Sequence, residues 1–362
     1  MSAPRSPALS LAVPADIGEA FAPALIDWQR RCGRHGLPWQ GTRDPYRVWL
    51  SEIMLQQTQV STVLSYYPRF LARFDTVQAL AAASTDEVMA LWSGLGYYSR
   101  ARNLHRCAQM VVSEYGGVFP VSWQELQKLP GIGASTAAAI AAFCHGERVS
   151  IADGNVRRVL SRLLAYGGDL AQAAGQASLW EAAQQLAPLA PSLADMQAYT
   201  QGLMDLGATV CTRSKPACVV CPMSGLCRGR LQGDPARFPV KSQRAVRRHE
   251  SWWLLALLRE GLDGAEVWLE RRPAPGIWAG LHCLPVFASE SDAAQQVPGG
   301  LEAATVLPVR GHALTHRELR LHPLSVAVSG DWQPGGPGQW WPLSRLAEVG
   351  IPTPVRELLA GF

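Results

Sequence analysis

The sequence has few charged residues, no apolar run long enough to cross a membrane, and no internal repeats. Charged residues make up 17% of the 362 positions, and hydrophobic residues make up 48%. This balance excludes a disordered chain, and the lack of a stretch of about 20 apolar residues excludes a transmembrane helix. The length is sufficient for two globular domains, each with its own core.

The net charge of +4 is also small for this length. It permits nucleic-acid binding without demanding it, because basic residues must cluster to create an attractive surface.

Four of the eight cysteines are scattered, which is typical of reduced thiols in a reducing compartment; they are Cys32, Cys107, Cys144 and Cys283. Residues 1–20 are predicted to form a disordered lead-in, with a secretory signal as the weaker alternative.

Apolar residues recur at helical spacing between residues 21 and 230, and the pattern changes after that. Residues 231–250 are rich in Arg, Lys, Gln and Pro without a clear period, which predicts a linker. Short apolar runs separated by Gly and Pro follow in 251–362 and predict the strands of a smaller domain. The predicted helices cover 46–64, 76–92, 100–113, 133–144, 154–165, 176–187 and 194–208.

The stretch from Leu129 to Leu160 organises the first domain. Gly131 and Gly133 lack a Cβ, so a hairpin at this point can adopt positive φ and let a ligand approach the backbone. The free N–H groups of the next helix would then point outward with the positive end of the helix dipole behind them, which is suited to phosphate. A Pro-Gly turn before an ordinary core helix is the alternative interpretation.

Two carboxyl groups are candidates for acid and base chemistry. Glu52 shares a predicted helix face with apolar residues, so desolvation should raise its pKa and let it hold a proton as a general acid. Asp153 precedes a helix, where N–H donors and the helix dipole should keep it ionised. Carboxyl groups with diverging pKa values are typical of an acid and a charge stabiliser. The alternatives are a simple helix cap for Asp153, and an arginine pair, for instance with Arg100, for Glu52.

Cys211, Cys218, Cys221 and Cys227 are separated by six, two and five residues. Four thiolates within so short a loop predict a metal centre. Zinc sites of four cysteines usually show two C-x2-C pairs, whereas only one is found here, so an iron–sulfur cluster is favoured. The loop also carries Arg213 and Lys215, which could meet a phosphate.

An enzyme that extrudes a base from a duplex needs side chains to fill the gap that the base leaves. The candidates are Gln56, Gln57, Thr58 and the Gly-flanked Tyr97. Packing roles are the alternative interpretation.

These motifs together resemble a known family. LPGIGASTAAAI, ADGNVRRVL and the cysteine spacing are similar to the helix-hairpin-helix DNA glycosylases of the endonuclease III superfamily, which carry an iron–sulfur cluster. WLSEIMLQQTQV and LWSGLGYYSRARNL are similar to the adenine DNA glycosylases within it. The resemblance implies an all-α glycosylase domain over 21–230 and a C-terminal α+β Nudix-like domain over 251–362. The first would consist of a six-helix module (about 36–146) and a cluster module (21–35 and 147–230) holding one 4Fe-4S cluster.

The resemblance also implies roles for single residues. Glu52 would protonate the adenine ring, Asp153 would stabilise the oxocarbenium-like sugar, and Asn155 would order the sugar or a water molecule. Ser135 stands where lyases of the superfamily have a lysine, and a hydroxyl cannot form an imine, so a monofunctional glycosylase is expected. Trp39 would line the pocket for the extruded base, whereas Gln56 and Tyr97 would lie beside 8-oxoguanine.

In the C-terminal domain, Leu314, Thr315 and His316 stand where the family reads 8-oxoguanine with an aromatic, a hydroxyl and a histidine. Leucine keeps apolar contact but removes ring stacking. Glu302 and Glu318 are isolated, so the glutamate-rich helix that holds magnesium in active Nudix hydrolases is missing, and a recognition module is expected.

The expected activity is removal of adenine mispaired with 8-oxoguanine or guanine in duplex DNA during base excision repair. The expected molecule is a monomer without membrane association, located in the cytoplasm on the nucleoid DNA of a bacterium. Two rival hypotheses are an oxidised-pyrimidine glycosylase-lyase, against which Ser135 argues, and a DNA-binding protein with a structural metal centre but no catalysis.

Overall fold

The computed structural model describes residues 11–242, 247–262, 264–297 and 299–362. Helices dominate the chain up to residue 231. They are α1 (Ala15–Cys32), α2 (Pro45–Leu55), α3 (Val60–Arg73), α4 (Val77–Ala82), α5 (Thr85–Trp92), α6 (Ser99–Tyr115), α7 (Trp123–Leu126), α8 (Ala134–His145), α9 (Gly154–Leu163), α10 (Ala173–Gln185), α11 (Leu193–Asp205) and α12 (Arg228–Leu231). None of the helices in the described ranges is both long and apolar enough to cross a membrane.

Two of the predicted helices are each divided into two. The pattern over 46–64 forms α2 and α3, because the backbone turns at Gln57, whose φ is 57°. The pattern over 76–92 forms α4 and α5, because the side chain of Ser84 caps Glu87 N–H and starts a new helix. Short polar caps therefore override a continuous apolar period.

The predicted disordered lead-in over 1–20 is wrong for its last part. Residues 1–10 lie outside the described residues, but α1 begins at Ala15 and fully buries Ile17 and Phe21. The Phe21 ring packs edge-on against Tyr199 of α11, with ring centroids 6.2 Å apart. The prolines in this segment suggested disorder, but tertiary packing stabilises a helix here.

The chain separates into two compact units. The first contains residues 1–68, 76–78 and 106–243, and in it α1 packs on α11 while α8 packs on both α2 and α11. The second contains residues 69–75, 79–105 and 244–362. Helix α5 and the Gly94–Tyr98 turn, which fall within the predicted glycosylase domain, therefore pack with the C-terminal part of the chain.

A mixed sheet forms the second unit's core. Long strand β1 pairs in parallel with β7 and antiparallel with β2, and Leu255, Leu257 and Leu324 are buried at its centre. The strands are β1 (Arg248–Gly261), β2 (Gly264–Arg271), β3 (His282–Cys283), β4 (Val286–Phe287), β5 (Thr305–Val306), β6 (Arg310–Ala313), β7 (Arg317–Ala327) and β8 (Gly338–Pro342), with helices α13 (Glu290–Ala294) and α14 (Thr353–Leu359). The predicted mixture of strands and helices is confirmed.

The linker predicted over 231–250 is too long at both ends. Phe238 is buried in the first unit, where its carbonyl accepts a hydrogen bond from Arg162, and β1 already begins at Arg248. Residues 243–246, in the middle of this stretch, lie outside the described residues.

Candidate active site and DNA interface

Glu52 faces a cavity of about 690 Å³ in the first unit. Trp39 also lines this cavity, and its ring packs edge-on against Tyr67. Amide and guanidinium groups contribute the polar part of the wall; among them are Gln40, Gln197, Gln201 and Arg34. The cavity thus combines an apolar wall, one carboxyl group and several hydrogen-bonding groups, which is typical of a ligand pocket.

The pKa of Glu52 is raised to about 8. Burial is the main cause, and the nearby Asp153 carboxylate raises it further. Within the part of the chain that the structure describes, no ion pair compensates Glu52, and Arg100 donates instead to the carbonyl oxygens of Leu95 and Gly96. Glu52 therefore holds a proton at neutral pH, as a general acid requires.

Asp153 caps the N-terminus of α9. Its Oδ1 accepts the Val156 N–H at 2.8 Å, and its side chain is exposed at the helix start. The preceding Ala152 N–H donates to Ser135 Oγ of α8 at 3.2 Å, which holds the chain just before the carboxylate. Asp153 does not line the cavity of Glu52, but it is near enough to act on the pKa of that group.

Arginines on α9 connect Asp153's helix to the cysteine loop. Arg158 donates to Asn155 Oδ1 at 2.9 Å and to the carbonyl of Cys211 at 2.9 Å. The buried Arg162 donates to the carbonyls of Thr212 and Arg213, and contacts Cys211 Sγ at 3.4 Å. Helix α9 therefore positions both Asn155 and the first cysteine.

The four clustered cysteines surround a small cavity of about 20 Å³. Burial raises the pKa of Cys221 to about 11, and the neighbouring thiols of Cys211, Cys227 and Cys218 act in the same direction. The described residues contain no group of three or more His, Cys, Asp or Glu side chains placed to hold a metal ion.

The hairpin before α8 leaves its backbone open. Gly131 has φ of 77°, whereas Gly133 has φ of −84°, so only Gly131 needs the left-handed conformation expected for the hairpin. Gly133 is the N-cap of α8, has no side-chain cap, and a Cβ built on it would meet nothing within 4 Å. The first N–H groups of α8 are thus accessible to an anion.

Known proteins match this architecture. Residues 50–185 match the HhH-GPD superfamily of base excision DNA repair proteins, and residues 255–361 match the NUDIX domain. An adenine DNA glycosylase of Buchnera aphidicola subsp. Baizongia pistaciae is 33% identical over 345 residues, which cover 94% of this chain and 95% of the relative. The chain belongs to the adenine DNA glycosylase family. It is a DNA glycosylase of base excision repair, as the sequence predicts.

One further similarity concerns the family and another concerns the fold of the first part of the chain. The human adenine DNA glycosylase is 38% identical over 323 residues, which cover 75% of this chain and 58% of that protein. The structure of a thermostable thymine-DNA glycosylase superposes with a TM-score of 0.52 and 27% identity, covering 60% of this chain and 98% of that one.

The other predicted DNA contacts lie on turns and loops. Gln56 donates to Thr136 Oγ1 at 3.3 Å, while the next residue, Gln57, is exposed in the left-handed region; Thr58 is partly buried. Arg213 and Lys215 are exposed in the first cysteine loop. In the second unit, Leu314, Thr315 and His316 form the turn between β6 and β7, where Thr315 and His316 are exposed.

Tyr97 lies in the left-handed region of the backbone. Its φ is 47° and its side chain is 46% exposed. A non-glycine residue in this region costs about 1–3 kcal/mol and persists only where the surroundings impose it. The adjacent Tyr98 instead packs, and its hydroxyl donates to the Ile351 carbonyl at 3.3 Å.

A second buried carboxyl group was missed from the sequence. Asp205, at the end of α11, accepts Arg34 N–H at 2.8 Å, Arg34 Nε at 2.7 Å and Gln201 Nε2 at 2.8 Å. It anchors the 33–43 segment, which contributes Trp39 and Gln40 to the cavity wall. No local pattern in the sequence could have revealed this group, since Arg34 and Asp205 are 171 residues apart.

Proposed function

We propose that this glycosylase excises adenine mispaired with 8-oxoguanine or guanine in duplex DNA, without strand cleavage. The observation that carries the proposal is the proton-holding Glu52, which faces a cavity and is electrostatically coupled to Asp153. The adenine named for the relatives supports the choice of base.

An extruded adenine would enter the cavity with Trp39 against its ring and amide groups at its edges. Glu52 gives its proton to a nitrogen of the adenine ring, which makes the base a better leaving group. Asp153, at the positive end of α9, stabilises the cationic sugar by its charge or by a covalent bond. Asn155 orders the sugar or the attacking water.

Ser135 underlies the proposed lack of lyase activity. Its Oγ accepts the Ala152 N–H, so it supports the segment that carries Asp153. An imine with the sugar aldehyde requires an amine, which a serine lacks.

Duplex DNA would be held mainly through phosphates. The open N–H groups after Gly131 and Gly133, together with the exposed Arg213 and Lys215, suit a sequence-independent, salt-sensitive contact. Gln56, Gln57, Thr58 and Tyr97 would fill the space that the extruded base leaves. Leu314, Thr315 and His316 of the Nudix domain would contact 8-oxoguanine, with leucine giving contact but no stacking.

Cys211, Cys218, Cys221 and Cys227 would hold one 4Fe-4S cluster. The four thiols line one small cavity, and the guanidinium of Arg162 lies at Cys211 Sγ, which supports a shared bound group. The cysteine spacing, with only one C-x2-C pair, favours a cluster over a zinc ion. When bound, the cluster would tie the loop that carries Arg213 and Lys215. Purified protein should contain four iron and four acid-labile sulfide ions per chain, and one zinc instead would overturn this assignment.

We further propose that the protein acts as a monomer on chromosomal DNA in the bacterial cytoplasm.

The deciding experiment uses a duplex with adenine opposite 8-oxoguanine, incubated with protein and then treated with alkali. Wild type should give cleaved strand only after alkali, and Asp153→Asn should give far less. Equal cleavage by both proteins would contradict the proposed mechanism. A strong borohydride-trapped adduct would instead indicate a glycosylase-lyase.

A further inference from the structure

The turn that presents Tyr97 is held by the C-terminal end of the chain. Residues 93–98 and 349–356 belong to the same compact unit, although they are about 250 residues apart in sequence. Ser93 Oγ donates to the Ile351 carbonyl at 3.1 Å, and Arg356 donates to Ser93 Oγ at 2.8 Å. The first residue of the turn is thus tied to α14 and to the segment before it.

Tyr98 adds a second connection at the other end of the turn. Its hydroxyl accepts the Gly94 N–H at 3.3 Å and donates to the same Ile351 carbonyl at 3.3 Å. Close packing adds to these bonds, since a Cβ on Gly350 would lie 2.8 Å from Met89 Cβ of α5. The Ile351 carbonyl is therefore a shared acceptor for both ends of the turn.

The inner side of the turn is equally restrained. The Gly96 carbonyl accepts hydrogen bonds from Trp92 Nε1 at 3.2 Å and from Arg100 at 3.1 Å. Tyr97 has a left-handed backbone and a half-exposed ring, over which the Arg100 guanidinium lies 5.6 Å from the centroid. Strain of this kind is maintained only when neighbouring groups leave the backbone no alternative.

We propose that Tyr98, through the Ile351 carbonyl, is a positioning residue that lets the C-terminal domain hold Tyr97 in its DNA-inserting conformation. This proposal rests on the proposed function, because it assumes that Tyr97 inserts beside the oxidised base. The turn of Leu314, Thr315 and His316 belongs to the same compact unit. The second unit would therefore both recognise the oxidised base and insert Tyr97 beside it. Selectivity for 8-oxoguanine over guanine opposite adenine would then depend on the Tyr98 hydroxyl.

The test is a double-mutant cycle with Tyr98→Phe, Tyr97→Ala and both changes together, in the full-length protein. Single-turnover excision is measured on adenine opposite 8-oxoguanine and opposite guanine. Tyr98→Phe should lower the ratio of the two rate constants about 3- to 10-fold, and should have no further effect on that ratio in the Tyr97→Ala background. Tyr166→Phe is the matched control, since it also removes a tyrosine hydroxyl bonded to a carbonyl, that of Gly175; it should keep the wild-type ratio.

Additive effects of Tyr97→Ala and Tyr98→Phe, or an unchanged ratio in Tyr98→Phe, would overturn the proposal. A thermal unfolding midpoint that falls equally in Tyr98→Phe and Tyr166→Phe, without any change in selectivity, would assign Tyr98 a purely structural role. Wild-type protein that excises no adenine from either duplex would instead refute the proposed function itself, so the two failures can be told apart.

Discussion

Glu52 and Asp205 are two carboxyl groups of the same unit with opposite surroundings. Asp205 is fully buried and accepts hydrogen bonds from three donors, which are the guanidinium of Arg34, the backbone N–H of Arg34 and the amide of Gln201. Glu52 has no ion pair among the described residues; burial raises its pKa, and the neighbouring Asp153 carboxylate adds to this effect. Both groups are withdrawn from water, so the supply of hydrogen-bond donors is what separates them. Asp205 is an anchor, whereas Glu52 is the proposed acid.

The largest expected effect comes from removing the acid. Glu52→Gln keeps the shape of the side chain but cannot give a proton, so excision of adenine should slow about 10²- to 10⁴-fold. Single-turnover rate constants at saturating enzyme measure this. A loss of less than threefold would show that the base departs without protonation by Glu52.

Removing the anchor should affect stability first. Asp205→Ala leaves the Arg34 guanidinium, the Arg34 N–H and the Gln201 amide without their acceptor, so the free energy of unfolding should fall by about 1–3 kcal/mol. Urea unfolding measures this, with Asp16→Ala as the control. Asp16 pairs with Arg228 at the surface, and exposed pairs contribute about 0–1 kcal/mol. Equal losses in both variants would mean that Asp205 is not an anchor.

The difference between Glu52 and Asp205 can also be reduced by placing a cation beside Glu52. Leu55 lines the same cavity one helical turn from Glu52, so Leu55→Lys would place an ammonium near the carboxyl. An opposite charge at that range lowers a carboxyl pKa by roughly 1–3 units. The excision rate should then decline from a lower pH than in wild type, where the decline should be centred near pH 8. Leu55→Met should keep the wild-type profile.

The last prediction concerns stability and pH. Since the pKa of Glu52 is about 8 in the folded protein and 4.5 as its ordinary value, the folded state retains a proton that the unfolded state has lost. The contribution of Glu52 to stability is therefore complete below pH 4.5 and is lost progressively as the pH rises to 8. Glu52→Gln should become more stable than wild type across this window. A constant difference between pH 4.5 and 8 would contradict the raised pKa.

The sequence predicts those features that depend on neighbours along the chain. The cap at Asp153 and the apolar face around Glu52 are local, so both could be recognised. The anchor formed by Arg34 and Asp205 depends on the packing of α1 against α11, and no local pattern connects two residues so far apart. The same reason explains α1 itself, whose order comes from the burial of Ile17 and Phe21 rather than from its propensity.

Arg162 joins three segments of the first unit through one buried side chain. It donates to the carbonyls of Phe238, Thr212 and Arg213 and contacts Cys211 Sγ, and no carboxylate pairs with it among the described residues. The start of the cysteine loop and the chain around Phe238 therefore depend on the same guanidinium, and a change at this single position would loosen both.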